Sequence, residues 1–123
     1  MGVTVEEAMD SRIIKITEHA YDRGKERLGL SKKSLKRMSE KAFDDGLTVD
    51  EMNGSLYKYF MDKLEYLAYE NTFYRVYGEM IFVFTVGQDI FFGDTHPLLV
   101  TVMYVPNELK KQANSSYRRK KIA

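Results

Sequence analysis

The stretch Lys15-Ile16-Thr17-Glu18-His19-Ala20-Tyr21-Asp22-Arg23-Gly24-Lys25-Glu26-Arg27-Leu28-Gly29 predicts the end of a strand followed by a capped helix. Thr17 is a favourable N-cap, because its hydroxyl accepts a hydrogen bond from an amide of the first turn. Gly29 supplies the left-handed residue that commonly ends a helix. We expect the rest of the chain to pack around this helix.

The side chains of this helix fall into three stripes at the helical period. The buried stripe consists of Ala20, Gly24 and Leu28 with Tyr21 beside them, the acidic stripe of Glu18, Asp22 and Glu26, and the basic stripe of His19, Arg23 and Arg27. Like charges one turn apart cost a few tenths of a kcal/mol, and a bound phosphate would offset this cost. A solvated face with Arg23–Glu26 and Asp22–Lys25 pairs is the alternative interpretation. A glycine in mid-helix lowers helix stability by about 1 kcal/mol relative to alanine. Because Gly24 has this cost, we expect that the helix packs closely on a sheet at this position.

Length and composition favour one ordinary globular domain. The chain has 123 residues, of which 44% are hydrophobic and 30% are charged. The chain has no cysteine, which excludes disulfides, thiolate metal sites and cysteine nucleophiles. With two histidines and no repeated acidic ligand pattern, we expect neither a metal site nor a cofactor. No apolar run has the length of a membrane span and the N-terminus lacks a signal-peptide pattern, so we expect a cytoplasmic protein without membrane contact.

Charge is strongly segregated although the formal net charge is only +1. Residues 23–41 carry eight Lys or Arg, residues 44–94 carry ten acids, and residues 110–121 carry six more bases. This distribution favours recognition of an anionic partner, while the acidic middle would equally suit a basic protein partner.

A second helix is predicted from Lys32 to about Asp45, with Ser31 as its cap and Gly46 as its end. Leu35, Met38 and Ala42 form its apolar stripe. Its other face carries Lys32, Lys33, Lys36, Arg37 and Lys41. These five cations predict either a solvated face or a contact with a nucleic-acid backbone.

The remaining pattern predicts an α+β fold, in which a three-helix layer packs on an antiparallel sheet of three to four strands. A short helix is expected at residues 4–10, a strand at Arg12–Ile16, and a third helix from the capping box Thr48-Val49-Asp50-Glu51 to about Glu70. Strands are expected at residues 72–77, 80–86 and 98–105, and residues 90–97 form a hairpin tip or a loop. Pro106 starts a short helix through Lys111. We therefore expect one domain at residues 1–112 and a basic, disordered tail at residues 113–123.

Several of these residues resemble the barnase–EndoU–colicin–RelE superfamily of small, metal-independent ribonuclease folds, which is common in toxins and in phage or mobile-element proteins. The resemblance is carried by His19-Ala20, Arg23, Glu26-Arg27, Arg75-Val76-Tyr77-Gly78 and Leu99-Val100-Thr101-Val102. It implies an RNA-binding protein, and cleavage of RNA if the fold is catalytically active.

The resemblance also implies roles for individual residues. His19 would transfer protons, and Arg23 and Arg27 would stabilise the charged phosphorane. Arg75 and Tyr77 lie on one face of their strand, because side chains alternate along a strand. Together with Thr101 they would line the opposite wall of the site.

Two further functions remain open from the sequence. The chain is alternatively a non-enzymatic phage or mobile-element protein that inhibits a host defence nuclease, with its acidic segment Asp44 to Asp94 mimicking nucleic acid. Tyrosine and arginine, which are favoured anchors at interfaces, suit such a partner. A homo-oligomeric structural domain is the third alternative. The expected partners are accordingly RNA, a host nucleic-acid-binding protein, or a second copy of the chain.

Overall fold

The computed structural model describes residues 9–64, 71–88, 91, 93 and 95–122. Its α-helices in this part of the chain are α1 (Glu18–Leu28), α2 (Lys32–Asp45), α3 (Gly54–Asp62) and α4 (Asn107–Ile122). Its strands are β1 (Lys15–Ile16), β2 (Thr72–Tyr77), β3 (Met80–Gln88) and β4 (Thr95–Tyr104). The predicted α+β class is confirmed, although the described residues form four helices where three were predicted in the layer.

The four strands form one sheet in the order β1-β4-β3-β2. β2, β3 and β4 pair antiparallel, as predicted. β1 pairs parallel with β4, so that Lys15 lies opposite Leu98 and Ile16 opposite Leu99. The sheet is therefore mixed, where an antiparallel sheet was predicted. A parallel pair requires a long crossover connection, and the chain through α1, α2 and α3 supplies it.

Two hydrophobic clusters use alternate residues of β3. Phe82 and Phe84 pack with side chains of α1 and α2, and we call this cluster the α1–α2 core. Ile81 and Val83 pack with side chains of α3 and α4, which form the α3–α4 core. Since successive strand residues point to opposite faces, the helices divide between the two sides of the sheet. The prediction of a single three-helix layer is therefore wrong.

The predicted ends of α1 and α2 are confirmed. The Thr17 hydroxyl accepts a hydrogen bond from the Ala20 amide at 3.0 Å, and Gly29 has a left-handed φ of 67°. Ser31 caps α2 through the Ser34 amide at 3.1 Å, and Gly46 follows the last residue of α2.

The third helix differs from its prediction at its start. Glu51 Oε1 accepts a hydrogen bond from the Thr48 amide at 2.8 Å, as a capping box requires. The turn that it stabilises is the short 3₁₀ helix Val49–Glu51, and α3 begins only at Gly54. In the described residues α3 ends at Asp62, while the expected continuation over residues 65–70 lies outside the described part.

The C-terminal segment is helical where a disordered tail was predicted. α4 does not stop near Lys111 but continues to Ile122, because Ala113 and Ser116 are buried at 2% and 3% exposure. Lys120 Nζ donates to the Gly46 carbonyl at 2.8 Å and pairs with Glu51 at 3.0 Å. These tertiary contacts stabilise the helix at residues 113–122, a polar segment with little amphipathic character of its own.

Smaller differences concern the strands. Arg12–Ile16 was predicted as one strand, but Ser11–Ile13 forms a 3₁₀ turn and only Lys15–Ile16 pairs with the sheet. β3 continues to Gln88 and β4 begins at Thr95. The end of the segment predicted as a hairpin tip or a loop, residues 95–97, therefore belongs to β4. The helix predicted at residues 4–10 falls mostly outside the described residues. No helix among the described residues is long and apolar enough to cross a membrane.

Candidate nucleic-acid interface

α1 lies between β4 and α2, and its two flanks carry different side chains. Thr17 donates its amide to the Leu99 carbonyl at 3.1 Å, which fixes the start of α1 beside β4. Ala20 is fully buried, and Gly24 lies against α2, where its position leaves room for Leu35. The close approach predicted for Gly24 is present, but it is made with α2 and not with the sheet.

His19, Arg23 and Arg27 follow one another at intervals of four along one flank of α1, and Arg27 contacts β4. His19 is exposed in the first turn. Arg23 Nη1 pairs with Glu26 Oε2 at 2.8 Å, while its Nε is buried without a hydrogen-bond partner. Arg27 Nη1 donates to the Val102 carbonyl at 3.2 Å. The Arg23–Glu26 pair is the one expected for a solvated face, and Arg27 covers part of the β4 edge.

Arg75 is buried at the border of the α1–α2 core, at 7% exposure. Its guanidinium carbon is 5.7 Å from the centre of the Phe43 ring and 5.2 Å from that of Phe73, within the range of cation–π contacts. Its Nη1 also donates to the Tyr74 carbonyl at 3.0 Å. β3 separates β2, which carries Arg75, from β4, against which α1 packs.

Tyr77 and Thr101 are separated by the sheet. Tyr77 lies opposite Met80, a residue of the α1–α2 core, and its ring meets Tyr117 edge-on at 5.9 Å. Thr101 lies opposite Val83, a residue of the α3–α4 core. Residues directly opposite in an antiparallel pair share a face, so Thr101 points away from the side that carries α1, Arg75 and Tyr77. The structure therefore keeps Arg75 and Tyr77 on one face, as expected, and does not bring Thr101 to them.

The basic face of α2 divides into engaged and unengaged side chains. Lys36 Nζ donates to the Ile14 carbonyl, and Lys32 Nζ lies 5.2 Å from the centre of the Tyr21 ring. Lys33, Arg37 and Lys41 are exposed, and within the described part of the chain none of these three makes an ion pair or a side-chain hydrogen bond. We call these three residues the α2 stripe.

The α2 stripe runs along the helix directly opposite its buried residues. Leu35, Ser39 and Ala42 face the core, and the stripe residues follow one another at intervals of four. At 1.5 Å per residue they span about 12 Å of the helix axis. The stripe is thus a convex ridge of three cations, open to a large anionic partner.

The cations at the end of α4 are used differently. Lys120 pairs with Glu51, and Lys121 Nζ lies 3.6 Å from Asp45 Oδ1. Burial on its own raises the pKa of Glu51, but hydrogen bonds from the Thr48 amide, Lys120 and the Thr48 hydroxyl outweigh it, so the pKa is lowered. These pairs neutralise part of both the basic tail and the acidic middle segment.

Sequence reasoning missed the contact between α1 and α2 around Tyr21. Tyr21, Asp22 and Lys25 of α1 line an open cleft with Lys32 of α2, on the flank of α1 away from His19 and Arg23. The available signal was the four-residue spacing of Tyr21 and Lys25, which places both beside the buried stripe. Among the described residues, no group of three or more histidine, aspartate or glutamate side chains is placed to hold a metal ion.

No family model, curated protein or solved structure matches this chain. The resemblance to the barnase–EndoU–colicin–RelE superfamily therefore stays a prediction from the residues that carry it.

Proposed function

We propose that this protein binds RNA along its phosphate backbone, using the α2 stripe as the principal contact. The observation that carries the proposal is that all three stripe cations are exposed and have no carboxylate partner in the described residues. Repulsion between like charges one turn apart costs a few tenths of a kcal/mol per pair. A row of phosphates would offset this cost, and binding would release the counterions condensed on the RNA.

The distribution of ion pairs supports this surface over the other basic segment. Lys120 and Lys121 pair with Glu51 and Asp45, whereas no carboxylate of the described residues pairs with the α2 stripe. The same pairs weaken the alternative of an inhibitor that mimics nucleic acid. Such a mimic needs free carboxylates, but four of the six described acids in this segment are engaged. Glu51 and Asp45 pair with lysines, and Asp44 and Glu79 accept hydrogen bonds from Ser11 and Asn114.

RNA cleavage has less support than RNA binding. His19 is accessible for proton transfer, and it shares a flank of α1 with Arg23 and Arg27. To stabilise a phosphorane, however, Arg23 would have to leave Glu26, and Arg27 would have to leave the Val102 carbonyl. We therefore confine the proposal to binding and include cleavage as a separate readout.

The test is equilibrium binding of a fluorescently labelled single-stranded RNA, measured by anisotropy over a series of salt concentrations. The variant Lys33→Gln/Arg37→Gln/Lys41→Gln removes three phosphate contacts. Each contact contributes about 0.7 to the slope of log K against log salt for a single strand, so the slope should fall by about 2. Intact RNA in EDTA after incubation with wild-type protein would argue against metal-independent cleavage.

The matched control is Lys58→Gln/Lys63→Gln/Lys111→Gln, which changes the net charge equally at three exposed lysines outside α2. This control should keep the wild-type salt slope. An unchanged slope in the stripe variant, equal slopes in both variants, or no RNA binding by the wild-type protein would overturn the proposal. Circular dichroism verifies that each variant is folded.

A further inference from the structure

The cleft between α1 and α2 has a volume of about 690 Å³. This size lies within the usual range of small-ligand sites and is sufficient for a nucleobase with its ribose. Tyr21, Asp22 and Lys25 line one side, and the other side is lined by Lys32 of α2 and by the loop residues 29–31 that join the two helices. One aromatic ring, two ammonium groups and one carboxylate therefore meet around a single concave space.

Tyr21 is the aromatic platform of this cleft. The ring is half-buried and packs against the α1–α2 core, which restricts its movement. Lys32 Nζ lies 5.2 Å from the ring centre, over its electron-rich face. An exposed ammonium is easily displaced from such a position, because a stacked base gains more from an aromatic ring than one solvated cation does.

The cleft lies at the N-terminal end of α2, where the α2 stripe begins. Lys32, at its rim, directly precedes Lys33, the first residue of the stripe, in the first turn of α2. A strand whose phosphates follow the stripe would therefore bring a neighbouring nucleotide to the mouth of the cleft. Single-stranded nucleic acids are commonly held in this way, by a basic track beside aromatic rings on which bases stack.

We propose that the cleft receives one unpaired base of the bound RNA, which stacks on Tyr21; this inference rests on the RNA-binding function proposed above. Lys32 then moves from the ring to an adjacent phosphate, and Lys25 contacts the same backbone. The Asp22 carboxylate accepts a hydrogen bond from an amino or imino group at the edge of the base. The partner is accordingly single-stranded RNA, since a base within a duplex cannot enter the cleft.

The experiment compares a single-stranded RNA homopolymer with an abasic sugar–phosphate oligomer of equal length. Base–aromatic stacking is worth roughly 5- to 150-fold in affinity, so the wild-type protein should prefer the base-bearing oligomer by about that factor. Tyr21→Leu should abolish the preference, by lowering the affinity for the base-bearing oligomer to that for the abasic oligomer. Tyr21→Phe keeps the ring and should keep the preference.

The outcomes separate this inference from the proposed function. Equal affinity of wild-type protein for the two oligomers, or a preference that survives in folded Tyr21→Leu, overturns the base-stacking inference. If the variant Lys33→Gln/Arg37→Gln/Lys41→Gln still loses salt-dependent binding, the proposed RNA-binding function stands even though the base-stacking inference fails. If wild-type protein binds neither oligomer, both proposals fall. Equal affinity of the wild-type protein for the two oligomers overturns the inference even if Tyr21→Leu fails to fold.

Discussion

Replacing Gly24 with alanine tests the contact that joins α1 to α2. A Cβ atom at this position would lie 2.9 Å from Leu35 Cδ2 and 3.5 Å from Leu35 Cδ1. The first distance is shorter than real Cβ contacts allow, so Leu35 would have to move. Leu35 is 1% exposed within the α1–α2 core, where close packing leaves little space for such a movement.

Two opposing effects determine the sign of the change. Alanine gains about 1 kcal/mol over glycine in a helix interior. Overpacking a filled core costs about 1–3 kcal/mol. We expect the steric cost to win, so that Gly24→Ala lowers the free energy of unfolding by about 1 kcal/mol.

The sign should reverse when Leu35 is shortened. Leu35→Ala alone should cost about 2–5 kcal/mol, because it removes a fully buried side chain. In that background the Cβ at position 24 meets no δ-carbon, and only the helix-propensity gain of about 1 kcal/mol remains. Gly24→Ala should then be stabilising, with a coupling energy between the two substitutions of about 2 kcal/mol.

Urea unfolding of the wild type, both single variants and the double variant, followed by far-ultraviolet circular dichroism, gives these four free energies. Asp22→Ala, on the exposed side of the same helix, is the control and should be additive with Leu35→Ala within about 0.5 kcal/mol. Stabilisation of the wild-type protein by Gly24→Ala would refute the reasoning, because helix propensity would then outweigh the contact.

Two further predictions concern the end of α4 and the acid that it contacts. Deleting residues 113–123 should lower the free energy of unfolding by about 2 kcal/mol or more, because buried Ala113 and Ser116 are lost. Thermal and urea unfolding measure this change. A deletion without effect on stability would instead support a disordered tail. Glu51→Gln should destabilise the protein at neutral pH, and the difference from wild type should disappear as pH falls through the lowered pKa of Glu51. The folded state holds that carboxylate ionised more strongly than the unfolded state does, so its contribution is present above the unfolded pKa and lost in acid. A difference that is constant from neutral to acidic pH would contradict this account.

Local signals in the sequence were sufficient for the ends of α1 and α2. Thr17, Gly29 and Ser31 act through hydrogen bonds or backbone angles within a few residues, so their roles are readable without knowledge of the fold. The Thr48–Glu51 capping box could also be predicted from the sequence. The length of the helix that follows it could not. Gly54, with a φ of 58°, starts a separate helix after the 3₁₀ turn.

Long-range contacts explain what the sequence pattern could not predict. The polar composition of residues 113–122 indicates a tail, yet Lys120 reaches Gly46 and Glu51, which lie far away along the chain. Thr101 was grouped with Arg75 and Tyr77, but its face depends on register. A bulge between Val83 and Phe84 changes that register, and no turn motif in the sequence specifies it.

The candidate site could be predicted only in part, because its final form depends on tertiary contacts. The sequence predicts that the five cations of α2 lie on one basic face. Which of them are free depends on where Ile14 and Tyr21 come to lie beside α2. The cleft around Tyr21 likewise exists only after α1 and α2 have packed together.

The parallel pairing of β1 with β4 has a consequence for synthesis of this chain. Thr17 hydrogen-bonds Val100, which is 83 residues later, so the first strand emerges from the ribosome long before its neighbour exists. Until then the apolar surface that Ala20 of α1 and Leu35 of α2 present to β4 faces solvent or a chaperone. Release of β4 and its insertion between β1 and β3 thus becomes the late event that completes the sheet, and stalling translation before Thr95 would leave an aggregation-prone intermediate.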